Sequence, residues 1–445
     1  MAVWYCGSTN WTAVTAWAAL TAYSIGDLRR QLAAPAVGDE RVFRCTTAGT
    51  SGAGEPAWTL TKGSTTADAT VVWTEVTGDS TYGWTAAHAR IYPALNWMAA
   101  GDRLWVSQAH AETQASAMTM TSPGTVASPC EILCGNDGAT PPTSLATTAT
   151  VTTTGASGLI VNGSFYSYGI TLACGTGASA ANIQLAPSTT IHETQVFDQC
   201  VFSLVTSSAS SIFILGSSTT RARVVRWIGC GVTFGHVGQG FSLRYIVLQM
   251  RGGSIAATGS VPTALVLGSQ THYGTAELLG VDLSTLGSGK SLVGVAGWQS
   301  PSLVSFEDCR LGASLSLTTG ADLGPGPLVR MDNCDSADTN YRMQRHQYEG
   351  NVYSETTVVR TGGASDGTTP LSHRMVSSAN AKLYLPLPSP EIVRWNETVG
   401  SAITATVEIV HDSLTALTDA EIWLDVEYLG TSGVPLSLFA DDRVA

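Results

Sequence analysis

Seven short segments recur along the middle of this chain: YGITL (168–172), FDQCVF (197–202), WIGCGVTF (227–234), MRGGSI (250–255), LLGVDL (278–283), FEDCRL (306–311) and MDNCDS (331–336). With Gly169, Cys200, Cys230, Gly253, Val281, Cys309 and Cys334 as the register, successive copies lie 31, 30, 23, 28, 28 and 25 residues apart. A unit of that length cannot bury its own apolar side, so the copies must stack and share a core. The irregular repeat, running from about 84 to 345, commits most of the chain to short strands piled one unit upon the next.

Aligned in this register, the segments read as columns. The residue before the register is Gln199, Gly229, Gly252, Gly280, Asp308 or Asn333. This set is dominated by types that tolerate a left-handed backbone, as a sharp turn between two strands demands. The register itself holds Cys, Gly and Val, small enough for a narrow interior. Three residues earlier stand Phe197, Trp227, Met250, Leu278, Phe306 and Met331, which should point inward. Strand alternation then turns the next residue outward, giving an exposed column of Asp198, Ile228, Arg251, Leu279, Glu307 and Asp332. Apolar runs ending near glycine, IFILGS (212–217), ALVLGS (264–269) and SLVGVAG (291–297), supply a second strand in each unit.

Composition narrows the partners. Charged residues are only 13% of the 445, and 22 Lys plus Arg against 34 Asp plus Glu leave a net charge of −12. That field repels phosphate, so neither nucleic acid nor an anionic membrane is expected as a partner. No stretch approaches ~18 apolar residues, and MAVWYCGSTN lacks the basic and apolar regions of a secretion signal. The nine cysteines are an odd number without a CxxC pair, and the eight histidines show no HxxxH spacing. The cysteines therefore read as reduced, buried small hydrophobes, and no metal or cofactor is expected. GSGKS (287–291) copies the end of a phosphate-binding loop without its first glycine or its strand-loop-helix setting, and reads as a turn. His192 with Glu193 reads as a surface pair.

The segment 99–136 carries Gly101, Asp102, Leu104, Val106, Gly124, Thr125, Pro129, Ile132 and Leu133 in the order Ala-Gly-Asp, apolar strand, Gly-Thr, Pro, apolar strand. It resembles the opening turns of right-handed parallel β-helix proteins of the pectate-lyase-like superfamily. The helix-like WTAAHARIYPALNWMA (84–99) would cap the open N-terminal end of such a coil. The expected fold is thus all-β: a right-handed parallel β-helix over 78–345, flanked by a small Trp-rich β-module over 1–77 and a C-terminal β-sandwich over 346–445. The sandwich rests on apolar–polar alternation at 404–410 and 421–428.

Residues 1–77 hold Trp4, Trp11, Trp17, Trp58 and Trp73. Tyr23, Gly26 and Asp27, then GTSGAGEPAW (49–58), then Val72 and Trp73 resemble the small sugar-binding-like modules of bacteriophage tail and fibre proteins. The resemblance implies a glycan platform of Tyr23, Trp58 and Trp73; the plainer alternative is that these rings fill the core of a module too small to fill itself otherwise.

A surface of Thr, Ser, Gly and Ala suits work outside cells, and a virus particle, assembled in the host cytoplasm and freed by lysis, reconciles that surface with the missing signal. Together with the resemblances it implies a bacteriophage virion protein: a tail spike, fibre or head-decoration subunit, homotrimeric, bound to other virion proteins and contributing to adsorption on host surface polysaccharide. Two alternatives stand beside it. One is a depolymerase using Glu307 and Asp332, predicted neighbours on one face, with Asp308 as a third candidate; the plainer and favoured reading is that Glu307 is a solvated surface acid and that Asp308 and Asn333 form a turn ladder. The other is a capsid cement protein with no ligand.

Overall fold

The structure, a computed structural model, describes residues 1–33, 35–189, 191–219, 223–256, 260–268, 272–294, 302–312, 315–318, 328–332, 334–336, 346–348, 357–361, 372–376, 428–429 and 435–436. Within them the chain is all-β, with two short helices, Ser8–Ala13 and Ile91–Leu95, and a 3-10 turn at Gly83–Ala86. No helix among the described residues is long and apolar enough to cross a membrane.

Three parallel sheets hold 28 of the 38 described strands. The longest has eleven strands, beginning with Val3–Cys6, Arg103–Ser107, Cys130–Gly135 and Phe165–Tyr168 and continuing through Glu193–Asp198, Arg223–Ile228, Val247–Arg251, Thr275–Leu279, Leu303–Glu307 and Leu328–Asp332. Only its last strand, His346–Tyr348, runs antiparallel to its neighbour. A second sheet of nine strands runs from Ala111–Gln114 to Asp335–Ser336, and a third of eight from Met118–Thr121 to Ser316–Thr318. From Arg103 to Ser336 the chain places one strand in the long sheet, the next in the second and the next in the third, then returns to the long sheet.

Side-chain alternation explains why this sequence adopts that path. Along the long sheet Phe197, Trp227, Met250, Leu278 and Phe306 are successive Cα partners, and each is at most 1% exposed. The apolar runs at 213–216, 264–267 and 291–293 all lie in the third sheet and bury Phe213, Leu215, Leu265, Val266, Leu292 and Val293. Between the sheets Phe202 stacks on Trp227 with ring centroids 4.5 Å apart and Phe213 meets Phe234 edge-on at 5.6 Å, while within the third sheet Phe213 meets its partner Phe241 edge-on at 5.5 Å. Each such side chain contributes roughly 1.5–3 kcal/mol of burial. Cys174, Cys200, Cys230, Cys309 and Cys334 join the same interior.

The turn column has the backbone its chemistry demanded. Gln199, Gly229, Gly252, Gly280 and Asp308 all have positive φ, between 51° and 65°; Asn333 lies outside the described residues. The register needs one correction at its start. Thr171 pairs with Val201, so Gly169 stands opposite Gln199 in the turn column, with φ +73°, and Ile170 takes the register position.

Two expectations at the N-terminal end also change. Helical structure in 84–99 is confined to the five residues Ile91–Leu95 and the 3-10 turn, because Ala87 is extended and His88 bridges to Cys6 in parallel pairing. The short helix still seats Ile91, Ala94 and Leu95 on the main core. Val3–Cys6, grouped by sequence with the Trp-rich module, is the edge strand of the long sheet, in register with Arg103–Val106. Asp102 fastens it there, accepting the Ala2 N–H at 2.6 Å and the Trp4 indole at 3.1 Å.

The module proper is a four-stranded antiparallel sheet in the order Leu28–Arg30, Val42–Thr47, Val71–Glu75, Thr65–Asp68, with Ala22–Tyr23 paired to Gly49–Thr50 beside it. Within 346–445, the span of the expected C-terminal sandwich, the structure describes only His346–Tyr348, which ends the long sheet, and the antiparallel pairs Thr357–Thr361 with Ser372–Val376 and Tyr428–Leu429 with Pro435–Leu436.

Candidate functional site

Glu307 and Asp332, singled out by sequence, are backbone partners in the long sheet. Tyr168, Asp198, Ile228, Arg251, Leu279, Glu307 and Asp332 are successive Cα partners down one column. Glu307 is exposed, with Leu279 on one side and Asp332 in register on the other. The Asp332 side chain lies outside what the structure describes. Parallel neighbours stand ~4.8 Å apart, so two carboxyl groups leaving such positions can reach the separations used in glycoside hydrolysis. Asp308 sits at the exposed turn that follows, its backbone left-handed at φ +52°.

Two residues before this column runs a second outward one: Tyr166, Val196, Arg226, Gln249, Glu277, Ser305 and Arg330. Here the side chains join across strands. The Arg226 Nε donates to Gln249 Oε1 at 2.7 Å, and Gln249 Nε2 donates to Glu277 Oε2 at 2.7 Å. Tyr166 Oη donates to Asp198 Oδ2 at 2.7 Å, and burial together with that carboxylate pushes the phenol well above its ordinary range. The face is thus a polar ladder interrupted by half-exposed Ile228 and Leu279.

The three aromatics assigned to a glycan platform are used inside the module. Trp73 is 0% exposed and Tyr23 4%, and they meet edge-on at 4.9 Å. Trp58 is half-buried, stacked on Phe43 at 4.0 Å, with its indole N–H on Glu55 Oε1 at 2.7 Å. Beneath them Asp68 accepts the indole N–H groups of Trp17 at 2.7 Å and Trp73 at 3.0 Å. Tyr23 and Trp73 therefore have no face to offer a sugar, which withdraws the platform in favour of the core-filling role. The module has too little aliphatic content to bury its sheet otherwise.

Sequence reasoning missed a buried polar cluster where the module meets the first turn of the long sheet. His110 and Glu112, with fully buried side chains, lie 3.5 Å apart. Cys6 Sγ is 3.9 Å from His110 Nδ1, which also accepts the Ser8 N–H at 3.1 Å. Arg90 reaches Glu40 at 2.7 Å and Glu112 at 3.7 Å, and Glu112 accepts the Ile91 N–H at 3.0 Å. Thiol, imidazole and carboxylate stand in the order a nucleophilic triad uses, but burial and Glu112 hold the Cys6 thiol well above its ordinary range, the opposite of an activated nucleophile. The cluster works as a clamp joining residues 6–8, the loop at 38–40, the short helix and the strand Ala111–Gln114. Its members lie up to about a hundred residues apart, and no local spacing announces them. Glu193, taken as a surface acid, is also buried at 1% exposure and accepts the Gly163 N–H at 2.5 Å.

Among the described residues no group of three or more His, Cys, Asp or Glu side chains is arranged to hold a metal ion. Comparisons with protein-family models, with curated proteins and with solved structures find no match to this chain.

Proposed function

We propose that the chain is a bacteriophage virion structural protein: a tail spike, fibre or head-decoration subunit whose three parallel sheets wind as a right-handed β-helix. In this reading three copies assemble into a rigid projection that contributes to adsorption on host surface glycan. One observation carries it: the chain cycles through three sheets in a fixed order, keeping stacked partners from Arg103 to Ser336. Such a stack is stiff along its length because each turn is hydrogen-bonded to its neighbours on three sides. The outward side chains are then free to vary without disturbing the fold, as recognition at a particle surface requires.

Immunogold electron microscopy of intact particles from the source lysate, with antibody against the whole chain, tests the proposal. Label at the tail supports receptor binding, and label over the head supports decoration. Particles without label overturn the virion reading.

The depolymerase reading has one observation in its favour, the in-register placement of exposed Glu307 against Asp332. It predicts that Glu307→Gln abolishes polysaccharide cleavage while leaving binding intact. Cleavage at the wild-type rate in that variant removes the pair from consideration.

A further inference from the structure

Two cations of the small module rest on aromatic rings of the stack. The Arg41 guanidinium lies 4.8 Å from the centre of the Trp97 ring, and the Lys62 ammonium 3.6 Å from that of Trp4. Trp4 belongs to the edge strand of the long sheet, and Trp97 packs against the main core just after the short helix. His88 stands by both rings, 5.0 Å from Trp97 and 6.1 Å from Trp4. Arg41 is otherwise held by neutral acceptors: its Nε donates to the Leu60 carbonyl at 3.2 Å, and its Nη1 to the carbonyls of Gly38 at 2.8 Å and Glu40 at 2.9 Å. No ion pair among the described residues includes it. The attraction between its charge and the indole face therefore has no carboxylate to compete with it.

A half-used carboxyl group stands on the same face of the module. Phe43 and Glu75 are cross-strand partners, so Arg41, two residues before Phe43, leaves the sheet on the side of Glu75 and diagonal to it. Glu75 is 1% exposed; its Oε1 accepts the Thr77 N–H at 2.9 Å, and its Oε2 has no hydrogen-bond partner. A carboxylate buried with one oxygen bare is costly, and burial pushes this group up from 4.5 to about 7. Arg41 is the charge that pulls the other way. The remaining ionisable groups around the joint are already committed. Lys62 sits on Trp4, Glu40 pairs with Arg90 at 2.7 Å, and Asp102 accepts the Trp4 indole. His88 is held neutral at ordinary pH by burial and by the charges of Arg41 and Lys62.

We infer that Glu75 is a pH-sensitive latch between module and stack: protonated, it leaves Arg41 seated on Trp97, and ionised, it draws Arg41 off the ring into an ion pair. The joint is then tight while Glu75 holds its proton and loosens as pH rises past 7. Lys62 on Trp4 is untouched by the change, so the module stays attached and folded while the contact at Trp97 opens.

The test is hydrogen-exchange mass spectrometry of the full chain at about pH 6 and about pH 8.5, corrected for the intrinsic pH dependence of exchange. Three peptides are read: one spanning 91–98 on the Trp97 side of the joint, one spanning 65–75 in the module sheet, and one spanning the long-sheet strand Leu303–Glu307. Glu75→Gln, which keeps the shape of the side chain and cannot ionise, accompanies the wild type. At the higher pH, wild-type protection should fall about tenfold or more at 91–98, less at 65–75 and not at all in the long sheet, and Glu75→Gln should show no fall at 91–98. No fall at 91–98 in the wild type, or one of the same size in Glu75→Gln, overturns the latch. A fall at 65–75 equal to or larger than that at 91–98 overturns it too, since the module would then be loosening as a whole. Arg41→Met, which keeps an unbranched chain against Trp97 without the charge, should lose the pH step although Glu75 is present; a full step in the folded variant removes Arg41 from the device and overturns it.

Discussion

Asp68 offers the sharpest test of how the small module is held together. It is 4% exposed and accepts three hydrogen bonds: Trp17 Nε1 at 2.7 Å and Trp73 Nε1 at 3.0 Å on one oxygen, and the Gly52 N–H at 2.8 Å on the other. Hydrogen bonds to a charged acceptor are worth roughly 1.5–3 kcal/mol each. Taking the low end, because the three share one carboxylate and do not add fully, Asp68→Ala should cost about 4 kcal/mol. Asp68→Asn is the finer probe. Its oxygen can still accept both indoles, but its amide then faces the Gly52 N–H donor to donor, so one bond is lost at a cost of about 2 kcal/mol.

At 1.4 kcal/mol per decade these costs correspond to losses of about thirtyfold for Asn and several hundredfold for Ala in protection against hydrogen exchange. The measurement is exchange mass spectrometry of a peptide spanning 65–75, read against a peptide spanning the long-sheet strand Leu303–Glu307 as an internal control. Protection should fall in the first and hold in the second. Unchanged protection at 65–75 in Asp68→Asn would refute the bonding scheme, and an equal fall in both peptides would refute the idea that the module opens by itself.

Burial pushes the Glu75 carboxyl up from 4.5 to about 7, and it lowers the His88 imidazole from 6.5 to about 3. Folded Glu75 holds its proton where the unfolded chain has lost it, so its contribution is full below pH 4.5 and is lost by about 3 kcal/mol as pH rises past 7. His88 works oppositely, stabilising above pH 6.5 and losing that contribution as pH falls toward 3. Urea midpoints should therefore be nearly flat between pH 4.5 and 6.5, and Glu75→Gln should replace the plateau with a rise; a plateau that survives the substitution contradicts the assignment. All nine cysteines are free and buried; a thiol reagent should label fewer than one per native chain and nine in denaturant, and rapid native labelling would contradict the interior placement. Gly280 and Gly253 both have positive φ, but a Cβ meets nothing within 4 Å at Gly280 and lies 2.1 Å from the Cys230 carbonyl oxygen at Gly253. Gly280→Ala should cost about 1–2 kcal/mol of backbone strain, and thermal melts should show Gly253→Ala clearly worse; equal melting of the two would count against the close stacking of adjacent turns.

Periodicity made the long sheet legible, and its limits explain what stayed hidden. Each turn repeats the same sequence of environments, so Phe197, Trp227, Met250, Leu278 and Phe306 could be aligned from sequence and do stand as stacked partners. The same alignment put Glu307 beside Asp332, as the backbone register does. Gly169 slipped by one place because glycine satisfies both adjacent columns, as Gly252 and Gly253 do together with φ of 63° and 80°. A residue without a side chain carries no facing information.

The aromatics of the small module fail for a related reason. Alternation predicts that Val71 and Trp73 share a face, and both are buried, but period alone does not say whether that face meets a core or a sugar. The deciding group is Asp68, whose carboxylate needs buried indole donors and so draws Trp17 and Trp73 inward. The clamp lies beyond any periodic signal. Arg90 finds Glu40 fifty residues earlier, and Glu112 accepts the Ile91 N–H from twenty-one residues earlier. Groups brought together by the meeting of two architectures obey neither one's spacing. On a chain whose interior is this repetitive, that junction is where chemistry independent of the repeat can collect.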